Sequence, residues 1–395
     1  MIQYQKGISL TELMVALALG LTLSLATMML FVNNNQTYRF HAALSRIQEN
    51  GRFALEILTN NIRMAGAMGC SSATTMVNVL NNCGKWDQSD WWKNLGPGSL
   101  LGYDGSQDFS EFSFSSGNRT KETDAIISLG SGGGYFITAS SPTSSPPTFT
   151  LNQSSQSNGE SLKSGSLVIV CNTQNATLFQ ITAVNHSSPF TILHAASANH
   201  CSASASGVSP GNCTQNLFPG SGLTPTACIT APATAPPAPS VTGGVPDSYI
   251  PGQSILVDYV PTAFYIKKSA SGATQSLYQK RLQVTNTGKA SMITEELVEG
   301  VENMQIFYGE DSNGDRIIDQ YVDASASPDW KNVLSIRIFL LITSQDENNL
   351  VEQPQIYFFP NDTGDSNIIA RMVTAKDRRL YQTFSTTIAL RNRLP

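Results

Sequence analysis

Lys6-Gly7-Ile8-Ser9-Leu10-Thr11-Glu12-Leu13-Met14-Val15-Ala16-Leu17 opens the stretch that decides the fold, because it begins an apolar run that reaches Val32 with Glu12 as its one charge. Ile8 to Val32 is 25 residues, and a helix of that length crosses a hydrocarbon core of ~30 Å. Only the short polar leader Met1-Ile2-Gln3-Tyr4-Gln5-Lys6-Gly7 precedes it. A secretory signal ends in a small-residue cleavage site after its apolar run. Here the run passes into Asn33-Asn34-Asn35-Gln36 and keeps helical spacing, so the apolar segment is expected to stay in the mature chain.

Glu12 argues against a plain anchor, since a carboxylate in apolar surroundings is costly unless paired or protonated. Cleavage after Gly7 would give Ile8 a free α-amino group and make Glu12 the fifth residue, one helical turn along. The amine of one subunit would then neutralise Glu12 of a neighbour packed beside it. These residues resemble the class III signal of type IV pilins and type II secretion pseudopilins, with Ile8 standing where phenylalanine is usual and Thr11 where an apolar residue is usual. The resemblance implies that a prepilin peptidase cuts between Gly7 and Ile8 and N-methylates Ile8, and that Glu12 is the assembly glutamate.

Helical spacing continues past the apolar run. Phe40, Leu44, Ile47, Gly51, Leu55, Leu58 and Ile62 recur at three- and four-residue steps, with Arg46, Glu49, Arg52, Glu56 and Arg63 between them. The pattern predicts one helix from Ile8 to Ala65, ~87 Å long, with Gly20 and Gly51 as its weak points. Residues 8–32 form the transmembrane and polymerisation half, and 33–66 the amphipathic half that covers a sheet.

Strand-like runs follow at 125–129, 166–170 and 178–181, separated by the glycine-rich stretch 130–134 and the Ser/Pro-rich stretch 140–147. Residues 67–253 read as a variable, loop-rich β region, with low complexity from Cys201 to Gln253. It holds all six cysteines, Cys70, Cys83, Cys171, Cys201, Cys213 and Cys228. An even, widely spaced set without CxxC pairs suits disulfides in an oxidising compartment. A Cys70–Cys83 bridge would staple its loop, and the overall connectivity stays open. Trp86, Trp91 and Trp92 read as a satellite core in preference to a binding surface.

Residues 254–395 form the most regular region. Runs at 254–268, 276–284 and 304–308 read as strands, Thr294 is placed to N-cap a short helix through Asn303, and Val333 to Thr343 alternates as a half-buried strand. Phe384, Thr386, Ile388 and Leu390 alternate again near the end. A long helix followed by antiparallel strands is an α+β arrangement, the helix covering the apolar face of the sheet, with large loop-rich insertions. Val298 to Gly309, the acidic loop after it and Phe384 to Arg393 resemble the PilW-type minor pilins of type IV pili, over about residues 1–66 and 254–395. The resemblance implies a type IV pilin-like fold and a single-pass protein of the bacterial inner membrane with its C-terminal domain in the periplasm. It implies a role in priming pilus assembly, a place at the pilus tip, and service in twitching motility or adhesion. The implied partners are other minor pilins, the major pilin, the prepilin peptidase, the inner-membrane assembly platform and a tip adhesin. A type II secretion pseudopilin, and a tip adhesin or DNA-uptake pilin, are the competing readings.

Asp311, Asn313, Asp315 and Asp319, with the Ile317 carbonyl, follow the oxygen spacing of a calcium loop, although the glycine falls at Gly314 and Val322 stands where the closing glutamate belongs. The expectation is a structural Ca²⁺ site between strands, with no cofactor required for function. The letters GxSxG at Gly207 to Gly211 do not mark a nucleophile, because Pro210 lacks the N–H an oxyanion hole needs. None of the four histidines has metal-site spacing, and no glycine-rich phosphate loop opens a helix. Enzymatic function has no support. Over 395 residues the net charge of −5 argues against a nucleic-acid partner, and the charged fraction of 13% suits an extracytoplasmic chain.

Overall fold

The computed structural model describes residues 9–65, 75–80, 91–92, 99–109, 113, 117–141, 147–152, 162–173, 175–196, 210–212, 215, 217, 249–285, 287–345, 354–360 and 370–390. Ser9 starts the helix. Its backbone is extended, its Oγ accepts the Glu12 N–H, and the Glu12 carboxylate accepts the Ser9 N–H. This capping box satisfies two of the donors that a helix start leaves open. Helix α1 then runs unbroken over Leu10–Arg63, 54 residues, or about 80 Å. Its described start is thus two residues later than Ile8, which lies outside the described residues.

The two halves of α1 differ in what they bury. Every residue from Ser9 to Arg39 is exposed. Burial begins at Ala43 and recurs at Ile47, Gly51, Ala54, Leu58 and Ile62, the stripe that a 3.6-residue period predicts.

The strands among the described residues are β1 (Thr75–Asn78), β2 (Leu100–Tyr103), β3 (Ala125–Ser141), β4 (Thr148–Leu151), β5 (Leu167–Cys171), β6 (Asn175–Gln180), β7 (Ala183–Asn185), β8 (Thr191–Leu193), β9 (Ile255–Lys268), β10 (Gln275–Val284), β11 (Ala290–Glu299), β12 (Val301–Glu310), β13 (Gln320–Val322), β14 (Val333–Thr343), β15 (Ile356–Pro360), β16 (Ala370–Thr374) and β17 (Tyr381–Ala389). The first eleven form one large sheet with the main path β1-β6-β5-β9-β3-β4-β8-β7, while β10 pairs with β9 and β11, and β2 with β3. All its pairings are antiparallel except β1 with β6. A second, antiparallel sheet has the order β13-β12-β14-β17, and β15 and β16 make a hairpin. Because β9 lies between β5 and β3, the sequence boundary near 253 does not separate two sheets.

The helix stripe shares one core with both sheets. Ile47, Leu58 and Ile62 pack with Met304, Ile306, Ile338 and Ile388 of the smaller sheet and with Ile126 and Phe264 of the larger. Asp124 ties the sheets through the backbone: its N–H donates to the Met304 carbonyl at 2.9 Å and its carboxylate accepts the Ile306 N–H at 2.7 Å.

Three expectations are corrected. Residues 294–303 are not helical. They lie in β11, the turn at Gly300 and the start of β12, because β10 supplies the hydrogen-bonding partner and an Arg281–Glu295 ion pair of 2.7 Å spans the two strands. Gly300 turns the chain at φ 91°, and a Cβ there would sit 2.8 Å from the Thr343 carbonyl oxygen. The glycine-rich stretch 130–134 is not a separator but the middle of β3. It bulges against β9 between Ser131 and Gly134, and a Cβ on Gly130 would lie 3.2 Å from the Met64 carbonyl oxygen, so the strand passes close beneath the helix end. Strand β14 is more buried than a half-buried strand: both its edges are paired, to β12 and β17, its Ile336 face is fully buried, and on the other face Ser335 is only 4% exposed while Arg337 and Phe339 are half-buried.

Candidate functional site

The surface least explained by folding is the first half of α1. Leu10, Leu17, Leu19, Leu21, Leu23 and Phe31 are each more than 60% exposed, on a helix long and apolar enough to cross a membrane. An apolar surface of that length in water would drive association; in lipid it is matched to its solvent. Two of its hydroxyls are satisfied by the helix itself, in keeping with that solvent. Thr22 and Thr27 donate their hydroxyls to the Leu19 and Ser24 carbonyls of their own helix, both at 2.9 Å.

Glu12 lies near the start of this surface. Its Oε2 accepts the Ser9 N–H at 3.0 Å and the Ser9 hydroxyl at 3.1 Å, so within one chain the carboxylate is held by its own helix cap. Ser9 is a partner that the sequence reading did not name, although the pattern Ser-x-x-Glu before an apolar run signals it. Gly7 and Ile8 lie outside the described residues.

Where α1 meets the domain, a recess of about 290 Å³ opens between Tyr38, Arg39, Arg46 and Asn50 of the helix and the segment Thr343 to Gln345. Asn50 closes one side by donating to the Glu299 carbonyl at 3.0 Å.

The acidic loop between β12 and β13 is folded around its own backbone. Asp311 is 5% exposed, and its carboxylate accepts the N–H groups of Gly314, Asp315 and Arg316. Asp315 accepts the Ile317 N–H, and Asp319 accepts both the N–H and the hydroxyl of Ser312, which holds its carboxyl below the usual range. Asn313 donates to Asp315 and Asp319. Among the described residues no three His, Cys, Asp or Glu side chains converge on a metal position. In the loop as folded, these acidic oxygens serve N–H and O–H donors of the loop itself.

Cys171, buried at the end of β5, is in a disulfide. Cys70, Cys83, Cys201, Cys213 and Cys228 lie outside the described residues, as does Trp86. Trp91 and Trp92 are core residues, and the Tyr259 hydroxyl donates to the Trp92 carbonyl at 2.6 Å.

No curated protein and no solved structure matches the chain. Residues 263–392, from the middle of β9 to just beyond β17, match the family described as Type IV Pilus-assembly protein W, a likeness that supports a role connected with type IV pilus assembly.

Proposed function

We propose that this chain is a minor pilin of a type IV pilus, cleaved between Gly7 and Ile8, N-methylated on Ile8 and held in the bacterial inner membrane by α1 with its β domain in the periplasm. The observation that carries the reading is the division of one helix. Residues 10–39 are wholly exposed while residues 43–62 are built into a domain whose 263–392 portion resembles a pilus-assembly family. A helix so divided is free to exchange lipid for the apolar helices of other pilins without unfolding its domain. In that exchange Glu12 leaves its own Ser9 cap and takes the α-amino group of a neighbouring pilin, which neutralises both charges in an apolar setting. The complex primes assembly with other minor pilins and ends at the pilus tip. Deletion of the gene tests the function: loss of surface pili and twitching with exoprotein secretion intact supports it. Intact pili with lost secretion would instead make the chain a type II pseudopilin.

A further inference from the structure

Four connections of the domain meet where α1 enters it. The Ser344 N–H donates to the Leu380 carbonyl at 2.9 Å and the Leu380 N–H to Ser344 Oγ at 3.2 Å, joining the end of β14 to the segment before β17. Arg379 Nη2 donates to the Ala273 carbonyl at 3.2 Å and brings in the β9–β10 turn. The Thr343 N–H donates to the Gly300 carbonyl at 2.8 Å, and Asn50 reaches the neighbouring Glu299, so the β11–β12 turn sits against the helix. In the anchored chain this end faces the bilayer, because the apolar half of α1 lies on the N-terminal side of Arg39.

Among the described residues, the acidic groups on the strands and turns at this end are occupied by the domain itself, while Glu49 on α1 is exposed. Glu296 accepts from Ser276 and the Ala270 N–H, Glu299 from Ser271 and Gln345, and Glu302 from the Gln275 N–H. Asp377 accepts the Tyr381 hydroxyl and lies 3.6 Å from Arg379 Nε. The cations are not so matched. Arg39, Arg46, Lys268, Lys376 and Arg378 are all exposed, and none of them is ion-paired among the described residues. Arg39 and Arg46 stand two turns apart on one helix face and line the recess of about 290 Å³, with Ala42 and Ala43 leaving it hollow. Arg39 is seven residues beyond Val32, about 10 Å along the axis. Helical side chains lean toward the N-terminus, here toward the lipid, which brings its guanidinium to the headgroup layer.

We propose that this end of the domain is a binding surface for anionic phospholipid headgroups, with a headgroup phosphate seated in the recess at Arg39 and Arg46 and further headgroups facing Lys268, Lys376 and Arg378. Guanidinium forks match phosphate oxygens, and unpaired cations beside a bilayer gain most where the lipid is anionic. Such a surface holds the domain against the membrane before assembly and gives up its lipids when α1 moves into a filament. The inference rests on the reading of α1 as a membrane anchor.

The full chain reconstituted into nanodiscs of phosphatidylcholine mixed with phosphatidylglycerol, then released for native mass spectrometry, tests it. The expected result is severalfold enrichment of retained phosphatidylglycerol over its share of the disc, lost in the Arg39→Gln/Arg46→Gln variant and reduced in Lys376→Gln/Arg378→Gln, with melting temperatures unchanged. Equal retention of the two lipids, or enrichment that survives both variants, would overturn the proposal. Inorganic phosphate added to the detergent-solubilised chain is expected to leave its melting temperature unmoved; a rise with phosphate and no enrichment of phosphatidylglycerol would mean an anion site unrelated to lipid and would also overturn it. Resistance to alkaline carbonate extraction checks the anchor separately. A chain that resists extraction yet shows no lipid preference sinks this inference alone, whereas an extracted chain sinks both readings.

Discussion

The ring of Phe384 on β17 lies across Gly51 of α1 so closely that a Cβ on residue 51 would stand 2.5 Å from the ring's Cζ. The glycine that looks like a weak point in the helix is thus a place where the smaller sheet packs directly against the helix backbone. Alanine there gains about 1 kcal/mol of helix propensity, but it forces Phe384 from its seat at a cost of about 1–3 kcal/mol for overpacking. The expected net effect of Gly51→Ala is a loss of stability, read as a lower melting temperature of the detergent-solubilised chain. Combining it with Phe384→Leu should recover part of the loss; a Gly51→Ala chain that melts higher than wild type would contradict the packing described.

Asp124 replaces a strand partner with a side chain. Its carboxylate accepts the Ile306 N–H from a position 3% exposed, so Asp124→Ala leaves a buried donor unmet, at a cost of about 1–3 kcal/mol. Asp124→Asn keeps an acceptor oxygen and should lose less. Urea titration of the three chains reads the order directly, and equal midpoints would show that the bridge between the sheets contributes nothing.

Acid sensitivity follows from His194. It is 3% exposed, its ring stacks on Phe149 at 4.9 Å with Phe179 edge-on at 5.4 Å, and burial among them pulls its pKa down to about 4. The unfolded chain takes up this proton near the ordinary histidine value of about 6.5. Below that pH the unfolded state therefore binds more protons than the folded one. Stability is complete above about 6.5 and falls as the pH drops toward about 4, by roughly 3 kcal/mol from this group. Thermal melts across that interval should show the slope, and His194→Phe should flatten it. A wild-type slope unchanged in the variant would assign the acid sensitivity elsewhere.

Millimolar calcium is expected to leave the melting temperature and the proteolysis pattern unchanged, because Asp311, Asp315 and Asp319 already accept hydrogen bonds from their own loop. A calcium-dependent rise in melting temperature, lost in Asp311→Asn, would mean that the loop reorganises around an ion.

The long helix and β14 were legible in the sequence because each is decided by a local period of burial: Ile47, Gly51, Leu58 and Ile62 at helical steps, and Ile336, Ile338 and Leu340 at every second residue. Thr294 misled because its capping signal is local while its strand partner, Lys280, comes from another run of the chain. Gly130 misled for a related reason: glycine breaks a strand in isolation, yet here it is needed because the end of α1 lies over it. Within the candidate site, the sequence singled out Glu12 by the improbability of a carboxylate in an apolar run. The cationic end was illegible, since Arg39, Lys268 and Arg378 lie far apart in the chain and only the meeting of four connections assembles them.

If the proposed processing is right, the mature chain begins at Ile8, one residue before the Ser9 cap of α1. Intact-mass and N-terminal peptide mass spectrometry of the chain isolated from membranes and from sheared pili measures this directly. The predicted result is a chain beginning at Ile8 with one methyl group on its α-amine in both fractions. A chain that begins at Met1, with Ile8 unmethylated, would contradict it.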